Sequence, residues 1–216
     1  MGLLVKLTYL HLGGAGYLTS GLPPQLGRLT NLTFLQIYDE PNLGGSGYHV
    51  PDELANLSKL NHLGLSNLGL TGDFPGWALG LEELTSLYLN GNLFSGPYPA
   101  ELADSELTTL GLSPTIDGDS SVPTWIADMD NLEVLGLNGF TGPFPAFVAE
   151  MKLRSLGMQT NHFTGSVPAA LWDNPNLESM TIVDDTLALA LPAPEDVDLP
   201  ILHGLRLLGR DFTGDA

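Results

Sequence analysis

The chain has 216 residues, of which 43% are hydrophobic, and it contains no cysteine. This share of hydrophobic residues is too high for a disordered chain, and no apolar run approaches the roughly 18 residues of a membrane helix. The absence of cysteine excludes disulfide bonds and thiolate chemistry. The formal net charge of −18 disfavours nucleic acids and anionic membrane surfaces as partners and favours a basic or neutral partner. Alternatively, the charge serves only to keep the chain soluble.

An apolar motif, Leu-x-x-Leu-x-Leu, recurs along the whole chain. Its nine copies begin at Leu7, Leu32, Leu60, Leu84, Leu107, Leu132, Leu153, Leu177 and Leu202. The last two apolar positions of each copy are two residues apart, so they point to the same side of a short strand. A single unit cannot bury its own apolar face, and neighbouring units must therefore stack, with their strands paired in a parallel sheet. The repeat predicts a solenoid.

The second half of each unit begins with an apolar residue followed by proline. The pairs are Leu22-Pro23, Val50-Pro51, Phe74-Pro75, Tyr98-Pro99, Val122-Pro123, Phe144-Pro145, Val167-Pro168 and Leu191-Pro192. Proline fixes its own φ and biases the residue before it to extended geometry, which suits a turn entering a short helical segment. These segments are predicted to form the convex side and to bury Leu26, Leu54, Leu102, Ile126, Val148 and Leu171.

A glycine turn lies between strand and proline in several units, as in Phe94-Ser95-Gly96 and Phe140-Thr141-Gly142. With it, the stretch Leu-Tyr-Leu-Asn-Gly-Asn-Leu-Phe-Ser-Gly-Pro-Tyr-Pro-Ala-Glu-Leu at 87–102 resembles the plant-type leucine-rich repeats of receptor-like kinase ectodomains, receptor-like proteins and polygalacturonase-inhibiting proteins. The resemblance covers essentially the whole chain. It implies an α/β leucine-rich-repeat solenoid with a curved parallel β-sheet on the concave face, short helical or 3-10 segments on the convex face, and an extracellular or cell-surface location.

The units depart from this family in several places. The family places asparagine after the strand, where its amide bonds the backbone of adjacent coils, and we assign this role to Asn92, Asn138 and Asn161. Other residues stand near the equivalent position in other units, namely Glu40, Leu68, Thr115 and Asp185. The second unit carries an insertion at 38–49, the unit at Leu132 is predicted to lack two residues before Asn138, and 188–200 is predicted to be a loosened coil.

No polar cap is visible at either end of the predicted solenoid, and the paired cysteines that usually cap this family are missing. Solenoid ends otherwise expose apolar core and strand edges. We therefore interpret residues 1–216 as a single leucine-rich-repeat domain of about nine repeats. The chain is predicted to be a fragment of a longer protein, or to make contacts with partners through its uncapped ends.

Catalytic and metal-binding patterns are weak, so we predict that the chain is not an enzyme and needs no cofactor or metal. The histidines are scattered, although His11 and His62 fall on the outward side of strands two units apart. The acidic run at 116–120 alternates like a calcium loop, but the closing glutamate is absent and an ordinary acidic turn is favoured. Asn31 and Asn56 begin Asn-Leu-Thr and Asn-Leu-Ser sequons and are candidate glycosylation sites.

The outward strand positions give the sharpest functional signal. In the first four units they form an aromatic and hydrogen-bonding stripe of Tyr9, His11, Phe34, Gln36, Tyr38, His62, Tyr88 and Asn90. Exposed aromatic residues on a concave sheet favour a binding site, although the same rings could merely pack on one another across strands. From the fifth unit onward the central position is Gly111, Gly136 and Gly157, which predicts a smooth half that an extended peptide backbone could approach.

Three functions remain open. The first is a receptor-like ectodomain or secreted recognition protein that binds a protein or peptide, basic or neutral, on the concave face. The second is an inhibitor of a secreted hydrolase, for which the acidic surface would need a basic enzyme. The third is a structural or adhesive repeat scaffold that joins other molecules end to end.

Overall fold

A computed structural model describes residues 4–14, 20–40, 47–184 and 203–208, and twelve strands lie in these ranges. In chain order they are β1 Tyr9–Gly13, β2 Phe34–Tyr38, β3 His62–Ser66, β4 Thr71–Asp73, β5 Ser86–Tyr88, β6 Leu93–Ser95, β7 Thr109–Leu112, β8 Val134–Asn138, β9 Thr141–Pro143, β10 Ser155–Thr164, β11 Ser179–Asp184 and β12 Gly204–Leu208. Nine of them form one parallel sheet in the order β1-β2-β3-β5-β7-β8-β10-β11-β12. Each strand belongs to one predicted repeat, so the predicted leucine-rich-repeat solenoid is confirmed.

The register of the sheet aligns the repeated leucines. Leu35 pairs with Leu10 on one side and with Leu63 on the other, and Leu110 pairs with Leu87 and Leu135. Because alternate side chains of a strand point to opposite faces, this register stacks all the inward residues into one continuous core. Leu35, Leu63, Leu87, Leu110 and Leu135 are completely buried.

Short helical segments form the opposite layer of the solenoid. They are 3-10 segments at Pro24–Arg28, Asp52–Asn56, Gly76–Gly80, Ala100–Leu102, Thr124–Asp128 and Ala146–Ala149, and one α-helical turn, α1, at Ala169–Trp172. A proline in extended or turn geometry precedes most of them, as at Pro51 with φ −64° and ψ 131°. The six apolar residues predicted to anchor these segments are all buried. The last predicted pair, Leu191-Pro192, lies outside the described residues.

Two small parallel pairings contain glycines of the predicted turns. Strand β4 pairs with β6, and β9 pairs with the end of β10. The turns need glycine because Gly72 and Gly142 adopt φ +86° and +85°, a region that side-chain-bearing residues avoid. These pairings fix the chain between the sheet and the helical layer.

The asparagine prediction is confirmed at two positions and wrong at the third. Asn92 and Asn161 are buried. The Asn92 side chain accepts from the N–H groups of Leu68 and Leu70 and donates to the carbonyl of Leu65, all in the preceding coil. The Asn161 side chain accepts from the N–H of Phe140 and donates to the carbonyl of Leu137, both also in the preceding coil. Asn138 is instead the last residue of β8 and is aligned with Gln159 on the outward face. Because this unit is two residues shorter, the buried position next to Asn161 is occupied by Phe140.

In other coils, different residues occupy the position of the buried asparagine, as predicted. Glu40, Leu68 and Thr115 are buried after their strands, as the predicted equivalence requires. The backbone N–H of Leu68 donates to the Asn92 side chain, so this turn depends on the neighbouring coil and not on its own residue. Asp185, half of the predicted insertion (41–46) and the predicted loosened coil at 188–200 lie outside the described residues.

Candidate functional site

The outward sheet face consists of the strand side chains that point away from the core, and it presents them in rows. One row begins with Tyr9, Phe34, His62 and Ser86, which the strand register aligns. The next row contains His11, Gln36, Gly64, Tyr88 and Gly111 in successive strands. The eight residues that the sequence predicts to bind a ligand therefore lie on neighbouring positions of one surface.

The rings of the first row are stacked on one another. The ring centroids of Tyr9 and Phe34 are 4.3 Å apart at an interplanar angle of 11°, and those of Phe34 and His62 are 4.1 Å apart at 7°. Stacked rings use their faces on each other, so the Phe34 ring has both faces occupied. The packing that the sequence left as an alternative to binding is thus present, and the row offers ring edges to a ligand.

Further contacts join the remaining aromatic residues to this stack. The Tyr9 hydroxyl and the His11 Nδ1 atom are 3.3 Å apart, and the His11 and Tyr38 ring centroids are 5.2 Å apart. The His62 and Tyr88 centroids are 5.8 Å apart. We call Tyr9, His11, Phe34, Tyr38, His62 and Tyr88 the aromatic cluster. It is one connected unit across four coils.

Glycines beside the aromatic cluster accommodate its tyrosines. A Cβ atom added at Gly13 would lie 2.6 Å from Cδ1 of Tyr38, and one added at Gly111 would lie 2.5 Å from Cδ1 of Tyr88. The Tyr88 ring therefore covers Gly111, which was predicted to be part of the bare half. At Gly136 and Gly157 an added Cβ would meet only backbone atoms, at 3.7 Å and 3.9 Å. The open floor is thus limited to β8 and β10.

A shallow groove of about 550 Å³ connects the aromatic cluster to this floor. Its lining includes polar residues outside the eight that were predicted to bind a ligand: Ser66, Asn67, Asn138 and Gln159. The Ser66 hydroxyl donates to Oδ1 of Asn90 at 3.1 Å, and the Asn67 amide donates to Oδ1 of Asp39 at 2.8 Å. Ser66, Asn67 and Asn138 lie at or just after the end of a strand, whereas Gln159 lies within β10 and is aligned with Asn138.

Little of the acidic charge of the chain lies on this surface. In the main-sheet strands β1, β2, β3, β5, β7, β8 and β10, no outward position carries a carboxylate, a lysine or an arginine, and Asp39, just after β2, is the one carboxylate in the lining of the groove. Other acidic side chains lie at the edge where strands begin, where Arg154 pairs with Glu178 at 2.9 Å and with Glu133 at 3.6 Å. A partner on the outward face therefore meets mainly polar and aromatic groups, and most of the net charge acts on it from a distance.

His62 is the titratable group that this arrangement perturbs most clearly. Its ring is half-buried, and its Nε2 atom has no hydrogen-bond partner. Burial lowers the pKa of His62, and repulsion from His11 lowers it further. The remaining outward residues of β2 and β5 near it are Gln36, Tyr38, Ser86 and Tyr88, none of which carries charge at neutral pH. His62 therefore remains neutral at pH 7.

Acid should destabilise the fold through His62. Because the pKa of His62 is lower in the folded chain, the unfolded chain binds a proton at this residue more readily. Neutral His62 therefore contributes fully to the stability of the fold above the ordinary pKa of 6.5, and this contribution is lost as the pH falls towards the lowered pKa of the folded state. We expect His62→Phe, which keeps the stack on Phe34, to lose less stability than the parent between pH 7.5 and pH 5. Urea unfolding at both pH values measures the difference.

The control for this experiment is His162→Gln, because His162 is exposed in β10. It should keep the parent's acid-dependent loss of stability. If His62→Phe and the parent lose equal stability on acidification, the assignment of this loss to His62 is wrong.

The other candidate sites are simpler. Asn56 is exposed, whereas the Asn31 amide donates to the carbonyl of Val5 at 2.8 Å, so a glycan would be accommodated more easily at Asn56. In the acidic run, the Asp119 carboxylate accepts from the N–H of Ser121, which is a local turn contact. Within the described ranges, no group of three histidine or acidic side chains is arranged to hold a metal ion. None of the helices there is long and apolar enough to cross a membrane.

Comparison with known sequences identifies plant relatives. No protein-family profile matches the chain. Receptor-like protein 52 of Arabidopsis thaliana is 36% identical over 86 residues, which are 40% of this chain and 10% of the relative. Receptor-like protein 39 of the same plant is 27% identical over 169 residues, or 76% of this chain and 19% of the relative. The chain thus spans less than a fifth of either relative.

Solved structures with the same architecture include plant receptor ectodomains. The chain superimposes on the Arabidopsis receptor kinase HAESA, solved with the peptide hormone IDA and the co-receptor SERK1, with a TM-score of 0.54 and 26% identity. This match covers 92% of the chain and 36% of HAESA. PEPR1, solved with AtPEP1, gives a TM-score of 0.58 at 24% identity, covering 96% of the chain and 32% of PEPR1, which shows the fold alone.

Proposed function

The chain is a leucine-rich-repeat protein of the plant type, and we propose that it is a non-catalytic recognition module that binds a peptide or protein on the outward sheet face. The observation that carries this proposal is the groove between the aromatic cluster and the open floor at Gly136 and Gly157. One end of the groove offers rigid ring edges and hydroxyl groups. The other lets a ligand backbone approach the sheet without meeting side chains.

The chemistry of this groove favours an uncharged or weakly charged segment of ligand. Aromatic rings that are already stacked lose little conformational entropy on binding, so their edges can anchor an apolar or polar side chain. Asn90, Asn138 and Gln159 carry amide groups that can pair with a peptide backbone. A basic ligand remains compatible through long-range attraction, but in the groove its charges would meet a single carboxylate, that of Asp39, which already accepts from the Asn67 amide.

The relatives support the same conclusion at a coarser level. HAESA is a receptor kinase solved with a peptide hormone, and the two sequence relatives are named receptor-like proteins. By analogy we propose a receptor-like module at the cell surface or outside the cell. Fold likeness alone does not determine the ligand, so the outward face must be tested directly.

A random 12-residue peptide library displayed on phage is the appropriate probe. Peptides selected on the parent protein should bind at least about tenfold more weakly to Gly136→Leu/Gly157→Leu, because the new side chains fill the open floor. Both positions have room for a side chain on the fold itself, so this variant should stay folded. Tyr38→Ser/Tyr88→Ser should weaken binding of the same peptides, because it removes two rings at the other end of the groove.

The matched control is Glu82→Gln/Glu83→Gln, which changes two exposed residues before β5 and leaves the outward face intact. It should bind the selected peptides as the parent does. Selection that yields no peptide above an unrelated protein, or peptides that bind the filled-floor variant equally, would show that this face is not the recognition site.

The scaffold and hydrolase-inhibitor alternatives have no comparable observation in their favour.

A further inference from the structure

A second groove, of about 620 Å³, lies away from the outward sheet face, between the turns of the fourth and fifth units. It is lined by aromatic, acidic and small residues, notably Tyr98, Trp125, Asp117, Asp119, Pro97 and Pro123. The acidic run at 116–120, which has no role in the proposed function, forms one wall. The groove combines ring surface with negative charge.

The aromatic residues of this groove meet differently from those of the aromatic cluster. The Tyr98 and Trp125 ring centroids are 6.2 Å apart at an interplanar angle of 68°, which is an edge-to-face contact and not a stack. The Tyr98 hydroxyl donates to the backbone carbonyl of Ser113, and burial raises the pKa of Tyr98, so this ring is fixed and neutral. Trp125 is half-buried and contributes to the groove wall.

The charge in this groove has one sign. Asp117 and Asp119 are both exposed, and the lining contains no lysine or arginine. The N–H and hydroxyl groups of Ser121 lower the pKa of Asp119, which keeps it ionised at neutral pH. With 25 acidic against 7 basic residues in the chain, the surrounding field also attracts cations. A neutral ligand would leave these carboxylates unused.

Another groove in the described part of the solenoid has a similar combination of residues. A groove of about 830 Å³ between the second and third units is lined by Asp52, Asp73 and Trp77, again beside prolines. Adjacent strands lie roughly 4.8 Å apart, so two units correspond to a separation of about 10 Å. An extended peptide rises about 3.3 Å per residue, so basic residues three positions apart would match this spacing.

We propose that the Trp125 groove binds an arginine side chain of a basic peptide segment, with the guanidinium group against the Trp125 ring and paired with Asp117 and Asp119. A tryptophan ring attracts cations through its electron-rich face, and arginine is the common partner in such contacts. The planar guanidinium group also stacks on rings and pairs with carboxylates, whereas the lysine ammonium group is a strongly hydrated point charge. This site is separate from the one in the proposed function.

Fluorescence anisotropy with a fluorescein-labelled tetra-arginine peptide tests this site. Asp117→Asn/Asp119→Asn removes both charges but keeps the side-chain oxygen that accepts from Ser121, and it should weaken binding about tenfold. The control, Glu82→Gln/Glu83→Gln, makes the same change of net charge two units away, at residues that do not line this groove. It should weaken binding less than about twofold, since screened charges act weakly at that distance.

The contribution of the ring is tested by comparing tetra-arginine with tetra-lysine. The parent should prefer arginine, and Trp125→Leu should lose most of that preference, while Trp125→Phe, which fills more of the same space with a ring, should keep part of it. Thermal unfolding of each variant confirms that it is folded. Tyr38→Ser/Tyr88→Ser should bind tetra-arginine normally, which separates this site from the outward face.

Two results would overturn the proposal. If the double aspartate variant and the double glutamate variant weaken tetra-arginine binding equally, the peptide responds only to the net charge of the chain. Binding of an uncharged oligosaccharide such as chitohexaose that depends on Trp125, without binding of tetra-arginine, would make the groove a sugar site.

Discussion

Replacement of Asn92 by alanine should lower the free energy of unfolding by about 3 to 4 kcal/mol. The Asn92 side chain accepts from the N–H groups of Leu68 and Leu70 at 3.3 Å and 3.1 Å, and donates to the carbonyls of Leu65 and Leu89 at 2.6 Å and 2.9 Å. These backbone groups are buried between coils, where water cannot replace the lost partner. Each buried group left unpaired costs about 1 to 3 kcal/mol, and local relaxation recovers part of the total.

Urea unfolding monitored by circular dichroism measures this change, and Asn138→Ala is its matched control. Asn138 ends β8 on the outward face, so its loss should cost less than about 0.5 kcal/mol. The difference between the two variants tests the role of the buried amide itself, since both remove the same chemical group. Similar losses in both would show that burial of the Asn92 amide is not what stabilises the turn.

The same pair of asparagines shows what the sequence could and could not predict. Leucine spacing predicted all nine strands of the main sheet, because inward residues must align when coils stack. It did not distinguish Asn92 from Asn138, since both follow a strand leucine within a few residues. The two-residue shortening of this unit decides between them, and it lies after Asn138, not before it as the sequence predicted. Thr141 to Pro143 keep the register of His162 to Thr164, which leaves Phe140 in the buried position beside Asn161.

The candidate site, too, could be predicted from the sequence only in part. Period-two alternation correctly predicted which strand residues share the outward face. Alternation carries no information on side-chain rotamers, however, so it did not predict that Phe34 is stacked between Tyr9 and His62, or that Tyr88 lies over Gly111. The −18 charge likewise gave no location for the acidic groups. The nature of the ligand surface therefore had to come from three-dimensional packing.

Substitution of Gly27 is the other change for which we expect a large loss of stability, because two backbone segments approach closely at this residue. Gly27 is buried in the segment Pro24–Arg28, and a Cβ atom added to it would lie 2.0 Å from the backbone oxygen of Glu53 and 2.6 Å from its carbonyl carbon. Backbone atoms cannot rotate away as a flexible side chain can. The first two helical segments would have to separate, which would loosen the packing of Leu26 and Leu54, both now buried.

We expect Gly27→Ala to lower the free energy of unfolding by about 3 kcal/mol, at the upper end of the usual cost of overpacking. In a solenoid each coil contacts only its neighbours, so the loss should concentrate at the first two units. Hydrogen exchange should therefore show reduced protection in β1 and β2 and nearly unchanged protection in β8 and β10. A uniform loss of protection along the whole sheet would contradict nearest-neighbour coupling.

Gly80→Ala provides the matched control, because Gly80 ends an equivalent segment but has no atom within 4 Å of an added Cβ. Alanine there meets no neighbouring coil and reduces the conformational freedom of the unfolded chain, so it should raise stability by about 0.5 kcal/mol. The opposite signs of the two substitutions follow from one difference, the distance to the next coil. If both glycines tolerate alanine equally, the close approach at Gly27 does not limit how tightly the first coils can stack.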